Sequence, residues 1–137
     1  MRRCPRKRLP VAAVNSKKSR PLNLDDFEGG IEWDLEEDER SNLAHCLEHN
    51  VDEQVVDEVL YAGDWINVEM VVDTAEFAIV GPNLVWNFMW TLLFRPSCTR
   101  GDMLRPVTGW DSKPSEIREW ERVMGHEWTG SRQKYPG

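Results

Sequence analysis

Residues 77–94 read FAIVGPNLVWNFMWTLLF, eighteen positions without a charge. By hydropathy such a run is marginally long enough to cross a bilayer. Gly81-Pro82-Asn83 lies inside it, however, and three turn formers exposed to lipid would leave backbone polar groups unpaired. Two buried strands joined by a turn explain the run better. The first covers 77–80, and in the second Leu84, Trp86, Phe88, Trp90, Leu92 and Phe94 share one face of an eleven-residue segment. The other face holds Val85, Asn87, Met89, Thr91 and Leu93, which marks this strand as the central one of a sheet.

Working outward, the period of two continues upstream, where Ile66, Val68, Met70 and Val72 alternate with Trp65, Asn67, Glu69, Val71 and Asp73. Downstream, a loop over 95–102 leads to a strand over 103–110 whose Pro106 cannot donate to a ladder, placing it at an edge or a bulge. Before the strands the period is helical. A weak stripe of Leu35, Leu43, Cys46 and Leu47 runs from Asp34 to about Asn50. Asp52 then caps a second helix with Val55, Val56, Val59 and Leu60 on one face, and Gly63 stops it. A last helix starts near 112–114, carries Ile117, Trp120 and Met124, and ends at Gly125. The expected fold is α+β: two N-terminal helices, a three- to four-stranded, mainly antiparallel sheet and a C-terminal helix. We expect a disordered basic arm and linker over 1–30, one domain over 31–126 and a flexible tail over 127–137.

Charge divides the chain more sharply than its net −7 suggests. Residues 1–20 hold eight Lys or Arg and no acid, while 25–64 hold fifteen acids against the single base Arg40. Residues 65–137 are nearly balanced, with nine acids and eight bases, so any nucleic-acid surface belongs to that half or to the arm. The start of the chain has too short an apolar piece for a secretory signal; a basic arm or an organellar transit peptide both fit it. Cys4, Cys46 and Cys98 are odd in number and scattered, which points to reduced thiols and a cytoplasmic setting.

Three groups of residues carry possible chemistry. His45-Cys46-Leu47-Glu48-His49 matches the H-x-x-E-H pattern of inverted zinc peptidases, but no third ligand or cleft can be named, so the expectation is two ordinary helix-face histidines and no metal. Arg95, Arg100 and Arg105 flank the loop between the last two strands, and Arg118 and Arg122 lie one turn apart on the final helix. Converging guanidinium groups could hold a phosphodiester; the bland alternative is surface Arg paired with Asp102, Glu119 or Glu121. Trp110 could stack on a base or serve as a core lid. His126 could be an acid or base, or simply decorate a helix end.

Ile31-Glu32-Trp33-Asp34, then Asn42-Leu43, then His49-Asn50-Val51 resembles the opening of the BrnT ribonuclease toxins, F-E-W-D, N-L and K-H-G-V. The closing segment, Gly101-Asp102-Met103-Leu104-Arg105-Pro106-Val107-Thr108 with Glu116 and Trp120-Glu121, is similar to the family's G-D-x-I-R-I-I-S, E and Y-E. The resemblance spans roughly residues 31–122. It implies a RelE-like fold and RNA cleavage without a cofactor. It further implies an antitoxin-like protein partner, in a homo- or hetero-oligomer away from any membrane. In an active version Arg105 with Arg95 or Arg100 would bind the scissile phosphate; from their own chemistry, His49 would act as base and Arg118, Arg122 and Trp110 would contact RNA. Glu37, Ala44 or Glu48, and Trp110 stand where the family carries positive charge, so cleavage is expected to be weakened or lost. The alternative is a non-catalytic module whose acidic helices engage a basic partner.

Overall fold

The computed structural model describes residues 18–131, apart from 36, 39, 72 and 84–86. Most of the expected arm, the Leu84 and Trp86 positions of the apolar stripe and the end of the tail lie outside the described residues. The fold is α+β, with five strands rather than three or four: β1 (Gly30–Ile31), β2 (Ile66–Asn67), β3 (Phe77–Asn83), β4 (Phe88–Pro96) and β5 (Met103–Asp111). They form one mixed sheet in the order β1-β5-β4-β3-β2, with β4 central; β1 runs parallel to β5 and all other neighbours are antiparallel. Helices α1 (Asn42–Leu47), α2 (Glu53–Ala62) and α3 (Pro114–Met124) complete it, with a 3₁₀ turn at Leu24–Asp26.

The two faces of the sheet bury different helices. Phe77, Ile79, Trp90, Leu92, Phe94 and Leu104 pack against Cys46 of α1 and Val55, Val56, Val59 and Leu60 of α2. Val80 and Met89 point the other way, onto Ile117 and Trp120 of α3 and onto Trp128. Several helix ends rest on readable chemistry. Ser41 Oγ accepts the Ala44 N–H at 3.1 Å and Asp52 Oδ1 the Val55 N–H at 2.8 Å, while Gly63 and Gly125 close α2 and α3 at φ 75° and 79°.

Several expectations need correction. Gly81-Pro82-Asn83 is not the turn: these residues complete β3, opposite Trp90, Met89 and Phe88. β2 covers only Ile79 and Val80, so β3 is locally an edge at Pro82 and its missing donor costs no ladder bond on that side. Gly81 serves close packing, since a Cβ there would lie 2.6 Å from the Trp65 Cβ. Pro106 sits at the register shift where Phe94 opposes it and Leu93 opposes Thr108, the bulge its chemistry favours. The first helix is one short piece, not a stripe from Asp34, and the upstream strand is two residues long. At the end of the expected arm and in the linker, Ser19 donates its N–H to Met70 O and Arg20 to Glu76 O, Leu22 is buried, and Arg20 lies over the Phe77 ring. These residues cover an exposed sheet edge, which would otherwise invite pairing with another chain. No helix among the described residues is long and apolar enough to cross a membrane.

Candidate functional site

A dense polar assembly is built around Arg105. β1 lays Ile31 beside Leu104, and the Glu32 N–H continues that pairing by donating to Leu104 O at 2.8 Å. Glu32 and Asp34, two positions apart on an extended chain, therefore point toward the same side. Arg105 Nη1 donates to Glu32 Oε1 at 3.0 Å and to Asp34 Oδ1 at 3.1 Å, and Nη2 donates to Asp34 Oδ2 at 2.6 Å. Ser97 Oγ donates to the other oxygen of Glu32 at 2.7 Å. Asn42, the first residue of α1, is the hub on the far side: its Nδ2 donates to Glu32 O and Pro106 O, and its Oδ1 accepts the Asp34 N–H at 2.8 Å.

The electrostatics follow from this geometry. The fork of Arg105 meets Asp34 with two hydrogen bonds, the strong bidentate form. Its hydrogen bond is the main influence that holds the Asp34 carboxyl below the usual carboxylate range, and the two acids raise the guanidinium's own pKa. The Arg105 side chain is only 19% exposed and faces two carboxylates, so its charge is already compensated. A phosphate would have to displace them. Arg95 stands directly opposite Arg105 in the β4–β5 register, half-exposed. Two like charges so placed repel unless something neutralises one of them, and Glu32 and Asp34 do so.

The remaining candidates do not join this cluster. Arg100 is exposed in the β4–β5 loop, 4.0 Å from Asp102. Arg122 is bound by Glu119 on the same exposed face of α3, and Arg118 shares an open groove with Pro114, Glu121, Gly125, His126 and Glu127. α3 packs on β2 and β3, whereas Arg105 belongs to β5 and the β1 edge. Trp110 is not an open stacking platform: its Nε1 donates to Glu116 Oε1 at 3.0 Å and Lys113 Nζ lies 5.8 Å over the ring. Glu116 also accepts the Lys113 N–H at 2.7 Å, so it caps α3. His126 is exposed and stacks edge-on to Trp120, with ring centres 5.1 Å apart. His49 lies on the turn after α1, exposed, with its ring 5.3 Å from that of His45. Cys46 is buried and its thiol is pushed up to about 11 by that burial, so it is no nucleophile near neutral pH.

Sequence reasoning named Arg105 but missed Ser97 and the two acids as its partners. The available signal was Glu32-x-Asp34 at strand spacing. Compared with models of protein families, with curated proteins and with solved structures, the chain matches none of them.

Proposed function

We propose that this chain is a divergent domain of BrnT-like, RelE-like build that has lost RNA cleavage and acts as a binding module for a Lys/Arg-rich protein segment. The observation that carries this reading is the state of Arg105. An arginine that stabilises charge developing on a phosphate must reach it uncompensated, yet Asp34 and Glu32 already occupy this one. The residues behind the resemblance, Glu32, Asp34, Asn42 and Arg105, meet in one hydrogen-bonded node. Their role in this chain is to join β1, α1 and β5. That supports a shared scaffold with a changed use.

The acidic half supplies a surface for such a partner. Asp25, Asp26, Glu28, Glu37, Asp38, Glu48, Asp52, Glu53 and Asp57 are all exposed. Tyr61 is 83% exposed one turn beyond Asp57 on α2, where its ring can take an arginine side chain over its face. The partner stands where an antitoxin stands in the toxin family. Titrating a fluorescent Lys/Arg-rich peptide against the full chain tests this. Affinity is expected to fall steeply between roughly 50 and 300 mM salt and to drop in an E53Q/D57N variant. Binding indifferent to both changes would defeat the electrostatic reading.

A further inference from the structure

The C-terminal turn of α1 gathers three potential metal ligands. One nitrogen each of His45 and His49 and one oxygen of Glu48 all lie within 4.8 Å of one another. His45 Nδ1 is 3.7 Å from Glu48 Oε2, and the two imidazole rings have centres 5.3 Å apart. The backbone keeps them together even though regular helix ends at Leu47: Glu48 N–H donates to Ala44 O, His49 N–H to Cys46 O and Val51 N–H to Cys46 O, with Asn50 at φ 65° closing the turn. Positions i, i+3 and i+4 therefore stay on one face.

We propose that His45, Glu48 and His49 form a surface binding site for a divalent transition metal of the zinc class. Two imidazoles and one carboxylate are a donor set that suits Zn²⁺, whereas Mg²⁺ and Ca²⁺ prefer an all-oxygen shell. Ligand atoms around tetrahedral zinc sit about 3.3 Å apart, given bonds of about 2.0–2.1 Å, so exposed side chains need only modest rotamer changes to close on an ion. Two further features favour a cation here. The site lies at the negative end of a helix, and Arg40 is the only base between residues 25 and 64. All three donors come from one exposed turn, which leaves the rest of the metal's shell open to water and makes no cleft. Glu48 is within ligand reach itself, so this is a binding site and not the water-activating arrangement of a peptidase.

The test is titration of Zn²⁺ into chelator-stripped full-length protein, read by calorimetry and by the three histidine ring resonances. One equivalent is expected to bind in the low micromolar range, with the His45 and His49 signals moving and His126 still. His45→Ala and His49→Ala should each weaken binding at least about tenfold, and E48Q less. Excess Mg²⁺ should not compete, because it prefers an all-oxygen shell. All three side chains are exposed, so these variants should keep their circular dichroism spectra. No binding up to about 100 µM, or one equivalent retained by the His45→Ala/His49→Ala double variant, would overturn the proposal.

Discussion

Asp34 shows how one side chain can decide what a neighbouring arginine is for. Its two oxygens take the fork of Arg105, and its backbone N–H is accepted by Asn42, so one residue fixes both the charge and the position of the cluster. Removing one acid from a largely buried cluster leaves Arg105 with Glu32 alone, and loss of a partner in such a site costs more than the pair itself contributes. Asp34→Asn should therefore destabilise the protein by about 2–3 kcal/mol at neutral pH, measured by urea denaturation. The pH dependence follows from the depressed carboxyl. Its contribution is complete above the unfolded value near pH ~3.9 and is lost as pH falls through the lower folded value. The gap between wild type and Asp34→Asn should stay constant from about pH 8 to about pH 4.5 and narrow as pH falls further. A gap that widened in acid would show that Asp34 is not the charged partner.

At the scale of elements, the strand over 103–110 and the last two helices were legible because each carries local chemistry that acts without distant help. Asp52, Gly63, Pro114 and Gly125 bound their helices by caps and backbone geometry, and Pro106 could only sit at a bulge or an edge. The turn between the apolar strands was misplaced for a tertiary reason. Gly81 and Pro82 carry turn chemistry, but β2 is too short to demand a donor from Pro82, and Trp65 and Val59 approach Gly81 too closely for a side chain. Gly81→Ala should accordingly destabilise by about 1–3 kcal/mol through overpacking in mid-strand. Thermal or urea unfolding would measure it, and a neutral outcome would return Gly81 to the role of a simple turn residue. The strand Gly30–Ile31 was illegible for a related reason: it gains its place from β5, more than seventy positions away in sequence.

For the whole molecule, the charge division read from the sequence survives folding, because the acids of the first half remain largely exposed. What composition did not decide is how the later arginines are paired. Glu32 and Asp34 cross to Arg105, Glu119 takes Arg122, and α3 holds Arg118 and Arg122 away from the β1–β5 edge. Composition could report how many arginines the second half holds, but only pairing across 71 and 73 positions decides which are compensated. A surface that is acidic on its helical side and whose Arg105 is already paired should repel a polyanion and attract a basic segment. The proposed reading is that Arg105 is tied into the fold and that the chain no longer cleaves RNA. Incubating purified full-length protein with structured and single-stranded RNA, and resolving the products on a denaturing gel, tests it most directly. Intact RNA is the result expected for the wild type and for a folded Arg95→Ala variant alike; cleavage by the wild type that Arg95→Ala abolishes would contradict it.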